Sequence, residues 1–296
     1  MSLRSRPARG KMPHMTRTWT VGVDAGGTWI RAMATDDRGR CWTEKERAPG
    51  DLAAALRALW SQRRLQRASV AHVVVAARGV WTSTERRATA RQLHQLGRRV
   101  TVVSDVEAAY RGAIGERAGL LVLAGTGSIV LARTARGRWI RAGGLGPLFG
   151  DGGSAFALGR DWLAAADPSR ARRLARMPDA VARIAALAPR VLRLARRGDG
   201  PARLAVARGS SALALGIRAA VHSAHLTKPT TVSWAGSLLD DRAYRALVWR
   251  AASGLGLSLE PMAPRASALE AAARLATRGA AEVTRVAPDT TTPRGR

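Results

Sequence analysis

Asp24 closes an apolar run and opens a small-residue turn in Val21-Gly22-Val23-Asp24-Ala25-Gly26-Gly27-Thr28. A second apolar run, Leu120 to Ala124, enters the turn Gly125-Thr126-Gly127-Ser128. Strand–turn–strand hairpins of Gly and Thr present successive backbone N–H groups, and small residues let phosphate oxygens approach them. A carboxylate at Asp24 can hold Mg²⁺ beside such phosphates. An ordinary glycine hairpin explains either turn alone; two in matching positions point to a phosphate clamp. Neither is a P-loop, because no Gly-Lys-Ser/Thr follows and each turn leads into a strand. Asp105 ends the apolar run Val100 to Ser104 and begins a helix. A carboxylate at the carboxyl end of a buried strand can take a proton from a hydroxyl attacking a phosphate, and it can equally be a helix N-cap. The glycine-dense run from Gly143 through Gly144, Leu145 and Asp151 to Gly152, Gly153 and Ser154 carries apolar residues inside it, as an ordered ligand loop does and a plain linker does not. Gly236-Ser237 after a strand, and Gly79 in Ala77-Arg78-Gly79, are weaker loop candidates.

The elements that must position these groups read as two copies of one order. Strands cover Trp19 to Asp24, Thr28 to Thr35 and Arg40 to Arg47, followed by a helix capped by Asp51. Val70 to Ala76 is a continuous apolar strand, as in a sheet buried on both faces. A helix over Ser83 to Leu96, the strand ending at Ser104 and a short helix to Ile114 complete βββαβαβα. The second copy has strands near 120–124, 128–134 and 138–142 and a helix from about Asp151. An Arg/Ala/Leu-rich helical insertion spans about 160–226. The copy ends with strand Thr231 to Ala235, helix Asp240 to Ala252, strand Leu255 to Leu259 and helix Arg265 to Arg278. The expected organisation is a leader over residues 1–16, a first domain over 17–114, a second over 115–282 whose last helix can pack back on the first, and a tail over 283–296. The leader and tail lack the composition of a core.

Composition removes several classes. Cys41 is the only cysteine, so internal disulfides and multi-cysteine metal or iron–sulfur sites are excluded. His72, His94, His222 and His225 show no metal-ligand spacing, and no Ser-His-Asp pattern is present. No apolar run is expected to reach transmembrane length, and the basic N-terminus lacks a signal-peptide core, so the default location is cytoplasmic. The net charge is +28, and Lys11, Lys45 and Lys228 are the only lysines. Arg rises with Ala throughout the chain, a compositional bias, and no nucleic-acid-binding motif accompanies it, so nucleic acid is not the expected partner.

Taken together these segments resemble the actin/hexokinase/heat-shock ATPase superfamily. Within it they resemble the BadF/BadG/BcrA/BcrD ATPase family, which includes N-acetylglucosamine kinases. VGVDAGGT (21–28) and LAGTGS (123–128) match its two phosphate motifs, and VVSDVEAAYRGA (102–113) the segment carrying its catalytic Asp. GGLGPLFGDGGSAFALGRDWL (143–163) matches its glycine loop, VSWAGSLL (232–239) its adenosine motif and PRASALEAAARLA (264–276) its closing helix. The resemblance implies an α/β fold of two ribonuclease H-like domains with an ATP/sugar cleft between them. It implies an ATP- and Mg²⁺-dependent kinase acting on the 6-hydroxyl of N-acetylglucosamine or a related amino sugar or hexose, and it allows a homodimer. Asp105 is then the general base. Asp24 organises Mg²⁺. Gly26, Gly27, Thr28, Gly125, Thr126, Gly127 and Ser128 hold phosphates, and Gly236 and Ser237 lie against adenosine. Asp51, Gly79, Asp105, Thr126, Gly144, Leu145 and Asp151 face the sugar.

Four positions depart from the family pattern: Asp51 for a sugar-contacting Asn, Leu145 for Trp, Gly152 for Glu, and Ser237 for a second Gly. They leave phosphoryl transfer intact and open the acceptor to glucosamine or glucose. Two alternatives stand beside this reading. One is a family ATPase of non-sugar function, such as the activator of a radical dehydratase, which the single Cys disfavours. The other is a catalytically degenerate sugar sensor or nucleic-acid-binding regulator.

Overall fold

The computed structural model describes residues 17–27, 29–47 and 50–286, with side chains to residue 280. The expectations for residues 1–16, for Thr28 and for residues 287–296 lie outside the described residues. The first half runs β1 (Trp19–Ala25), β2 (Trp29–Asp36), β3 (Cys41–Arg47), α1 (Leu52–Gln62), β4 (Val70–Ala77), α2 (Ser83–Gln92), β5 (Arg99–Ser104) and α3 (Asp105–Ala113). The second runs β6 (Gly119–Ala124), β7 (Ser128–Arg133), β8 (Trp139–Gly143), α4 (Ala155–Ala166), α5 (Pro168–Ala175), α6 (Ala180–Ala185), α7 (Ala188–Arg196), α8 (Gly200–Ala224), β9 (Thr230–Ala235), α9 (Arg242–Gly254), β10 (Leu259–Pro261) and α10 (Ala268–Val286). Among the described residues the strands form two five-stranded sheets, ordered β3-β2-β1-β4-β5 and β8-β7-β6-β9-β10. The same path is traced twice, a duplicated ribonuclease H-like unit with α5 to α8 inserted in the second copy.

Sequence and environment agree strand by strand. β4, Val-Ala-His-Val-Val-Val-Ala-Ala, is central and buried along nearly all its length, so it needs apolar groups on both faces. β3 is an edge strand whose Thr43, Glu44, Lys45, Glu46 and Arg47 keep it polar, which discourages pairing with another chain.

Two helices tie the halves together. α10, from the end of the chain, lies on β1 and β4 of the first sheet. A Cβ on Gly22 would sit 2.2 Å from the backbone nitrogen of Ala273, so only glycine admits the helix at this depth. His72 on β4 fixes α10 from the other side. Its Nδ1 lies 3.1 Å from the Ala276 carbonyl, which can only accept, so Nδ1 carries the proton and Nε2 accepts from the Thr101 hydroxyl at 2.8 Å. Burial lowers the His72 pKa and keeps the ring neutral. α3, from the first half, packs Val106, Tyr110 and Ile114 against Leu121, Ile129 and Leu131 of the second sheet. The two helices meet where the Ala266 N–H donates to the Gly112 carbonyl at 2.9 Å.

Three expectations change. The last strand is Leu259–Pro261 rather than Leu255 to Leu259, because Leu255 and Leu257 pack into the second core as the turn after α9. α10 continues to Val286, so its backbone takes in the first residues assigned to the tail. α8 is long and apolar enough to span a membrane by length and composition, against the expectation that no run would be. Its Val206, Leu213, Ile217 and Val221 instead enter the second core, as a core helix does.

Gly22→Ala should cost about 3 kcal/mol, since it forces a methyl into helix backbone. Gly200→Ala, which meets open space, should stay within about 0.5 kcal/mol of wild type. Chemical denaturation of both variants checks the contrast.

Candidate active site

The parallel strands bring the reactive groups to one end. Register pairs Asp24 with Ala76 and Ala77 with Ser104, so Asp24, Arg78 and Asp105 all stand at the carboxyl end of the first sheet. In the second sheet Leu123 pairs with Ala235, which sets the Gly125 turn beside Gly236. Such ends are where open α/β sheets bind ligands. Asp105 is the first residue of α3, and Ser104 is its N-cap. The Asp105 Oδ1 accepts from the Val106 N–H at 2.9 Å and from the Ser104 hydroxyl at 3.2 Å, and no bond engages Oδ2 among the described residues. Two residues on, buried Glu107 pairs with Arg86 of α2, which also donates to the Trp81 carbonyl. This pairing anchors the start of α3.

The second turn is held from behind. The Ala155 and Phe156 N–H groups at the start of α4 donate to the Gly125 and Thr126 carbonyls at 2.8 and 3.3 Å. The Thr126 and Gly127 N–H groups have no acceptor among the described residues, so the turn offers donors outward, as anion-binding backbone does. Buried Asp151 takes the left-handed conformation at φ 59°, unusual for a residue with a Cβ. Its Oδ1 accepts from the Ser128 N–H at 3.2 Å, and the Ser128 hydroxyl donates to the Gly152 carbonyl at 2.9 Å. The glycine loop and the turn are therefore one unit, and the backbone strain at Asp151 sits where a site would use it.

A cleft of about 540 Å³ gathers Gly27, Gly79, Asp105, Gly125, Thr126, Gly127, Ser128, Gly144 and Asp151. Other candidates stand apart. Asp24 and Gly26 do not line the cleft. Asp51 caps α1 through the Ala53 and Ala54 N–H groups and does not line the cleft. Leu145 is 59% exposed and, like Leu148 and Phe149, does not line the cleft. Gly236 is pressed against the Ala124 carbonyl at the root of the second turn, and Ser237 is exposed nearby. Trp81, Pro178, Asp179, Val181 and Ala182 line the cleft and carried no signal in the sequence beyond a flanking position or an Arg/Ala-rich context. Arg141 of β8 lies 4.6 Å from the Trp81 ring centroid and joins the two halves at the rim. A second, apolar cavity of about 440 Å³ lies between α7, α8 and α9; Tyr244 in its wall donates to the Gly153 carbonyl at 2.9 Å.

Burial raises the Asp24 pKa against the opposing charge of Arg31, whose Nη1 is 3.3 Å away, and the charge of Asp105 raises it further. Burial also raises the Asp105 pKa, against its two hydrogen bonds and the charge of Arg78. A desolvated carboxylate at Asp105 sharing a cleft with free N–H donors, with Asp24 close enough to interact with it electrostatically, makes a place for a cation and a polyanion together.

A repeated unit that turns both its sheets toward one such cleft defines the actin-like class of two-domain α/β proteins. The chain belongs to the BadF/BadG/BcrA/BcrD ATPase family, whose sequence pattern matches residues 21–253. A stretch of 69 residues is 44% identical to the N-acetylmuramic acid/N-acetylglucosamine kinase of Clostridium acetobutylicum; it spans 23% of this chain and only 22% of that relative. A similar solved structure is a protein provisionally named an N-acetylglucosamine kinase, from Chromobacterium violaceum (21% identity, 88% of this chain and 99% of that one, TM-score 0.67). Another is a ROK family glucokinase from Streptomyces griseus in complex with glucose and AMPPNP (19% identity, 88% and 100%, TM-score 0.56). At these identities the structural likenesses establish the fold.

Because burial makes the ionised form of Asp105 the costly one, the folded protein loses stability as pH rises through the raised pKa. Asp105→Asn is neutral at every pH and escapes that loss. Its melting midpoint at pH 7.5 should match or exceed that of wild type, with the difference closing toward about pH 4 as the wild-type carboxyl protonates. A variant clearly less stable at pH 7.5 would mean that the carboxylate's hydrogen bonds outweigh its burial.

Proposed function

We propose that the protein is an ATP-dependent kinase that transfers the γ-phosphoryl group to the 6-hydroxyl of N-acetylglucosamine or a related amino sugar or hexose. The observation that carries this is the cleft itself. The Asp105 carboxylate and the unused N–H groups of Thr126 and Gly127 line one space, as phosphoryl transfer to an alcohol requires. Family membership and the 69-residue similarity to a sugar kinase support it.

In this reading the acceptor hydroxyl hydrogen-bonds to the free Oδ2 of Asp105 and gives up its proton there as its oxygen attacks phosphorus. Burial raises the Asp105 pKa and so makes the carboxylate a stronger base than an exposed one. Thr126 and Gly127 orient the β- and γ-phosphates from one side, and the first turn closes the other through Gly27, with the Gly26 N–H spent on the Trp29 carbonyl at 3.0 Å. The adenosine end lies against Gly236 and Ser237. Gly79, Gly144 and Asp151 face the sugar. Among the described residues no group of three His, Cys, Asp or Glu forms a dedicated metal cage. Asp24, with Asp105 close enough to act on it electrostatically, fits Mg²⁺, which keeps waters and takes its other ligands from phosphates. Bound there, Mg²⁺ would neutralise phosphate charge. Little covalent help is needed from the protein; positioning and charge supply the rate.

A coupled ADP-release assay over N-acetylglucosamine, N-acetylmuramic acid, glucosamine and glucose should show sugar-dependent turnover with at least one, and the 6-deoxy analogue of that sugar should be inert. Asp105→Asn should lower the turnover by about 10²–10⁴-fold with ATP binding retained. Asp24→Ala should raise the Mg²⁺ concentration needed for half-maximal rate. No sugar-dependent ADP release from any acceptor would sink the kinase reading.

A further inference from the structure

Arg78 is a cation at the reacting centre with no structural duty for its side chain. It follows the last residue of β4, and its backbone N–H donates to the Ala25 carbonyl at 3.3 Å, which pins it to the end of β1. Its Nη1 lies only 2.5 Å from where a Cβ on Gly27 would be, so the guanidinium rests on the first phosphate turn. It lines the cleft with Asp105, Thr126 and Gly127 and stays open to solvent. Among the described residues no ion pair or side-chain hydrogen bond holds its guanidinium; Arg31, by contrast, is committed to Asp24.

We propose that Arg78 is a catalytic residue that binds the transferring phosphoryl group and carries its charge in the transition state. The inference rests on the kinase reading above. As the sugar oxygen forms its bond to the γ-phosphorus, the bond from that phosphorus to the β,γ-bridging oxygen breaks and its electron pair leaves on ADP. The hydroxyl proton passes to Asp105. Charge spreads over the three equatorial oxygens of the group in flight, the point at which a planar, fork-shaped donor bridging Gly27 and the Asp105 side is most useful. The free N–H groups of the second turn approach from the opposite wall, so the phosphoryl group would be held between backbone donors and a guanidinium. Asp105 gains as well, since the positive charge beside it favours its ionised, proton-accepting form.

The test uses the full-length protein with the sugar that supports turnover, and compares wild type, Arg78→Ala and Arg78→Lys. Arg78→Ala should lower kcat by about 10³-fold, with KM for the sugar and Kd for Mg·ATP changed by less than about fivefold and the melting midpoint unchanged. Arg78→Lys should recover part of the rate, and guanidinium ion added to Arg78→Ala should restore some of it. ADP with aluminium fluoride, which mimics the group in flight, should inhibit Arg78→Ala far more weakly than wild type. Wild-type turnover with kcat for Arg78→Ala within threefold would overturn the proposal and leave the kinase reading standing. A loss expressed only in sugar KM would overturn it too, by making Arg78 a specificity residue. Absence of turnover in wild type would strike the kinase reading itself.

Discussion

The close contact of α10 with the first sheet, and of α3 with α10, is the constraint on which the rest depends. Gly22 lets helix backbone settle onto β1, and Gly112 lies so close to the Ala266 and Ser267 carbonyls that a Cβ there would fall 2.5 Å from one of them. Close-packed interiors do not deform smoothly around such points. Each sheet is completed by a helix from the other half of the chain, so the cleft is bounded by two bodies that share the helices at its base. That arrangement fixes where Asp105, the first residue of α3, stands relative to the turn at Gly125.

The walls of the cleft differ in kind. The second turn is backed by the start of α4 and locked to the glycine loop through Ser128, whose N–H donates to the carboxylate of left-handed Asp151 and whose hydroxyl donates to the Gly152 carbonyl. The first wall carries side-chain charge: Arg78 and Asp105 line it, and the Asp24–Arg31 pair stands outside the lining. A rigid array of backbone donors facing a cluster of ionisable groups suits a ligand whose negative charge must be held at fixed points while a proton moves nearby.

Much of the fold was legible because inner strands buried on both faces must be written as apolar runs, as in β4 and β6. The glycine turns were legible for a related reason: close backbone approach has few solutions in sequence. What escaped depended on neighbours. Leu255 and Leu257 look like a strand and are core contacts of a turn, because three residues suffice for β10 at the sheet edge. Asp51 fits a helix cap and a polar ligand contact equally well in sequence; the cap bonds account for it in the fold. Pro178 and Val181 reach the cleft only because α5 and α6 fold back over α4, a consequence of packing that no local pattern records. Leu145 and its neighbours Leu148 and Phe149, 86% and 83% exposed, sit in the loop that most resembles the family yet face outward.

The lateness of α10 has a consequence for how the protein is made. The strands of the first sheet are all present once Ser104 has been synthesised, but the helix that covers β1 and β4 begins only at Ala268. At bacterial-to-eukaryotic elongation rates of roughly 5–20 residues per second, that delay is on the order of ten to thirty seconds. Throughout it the nascent chain exposes the apolar face at Val74 and Ala76 that α10 later covers through Ala272 and Ala276. The emerging polypeptide thus carries a sticky surface toward the ribosome exit, and the synthesis of α10 decides when that exposure ends.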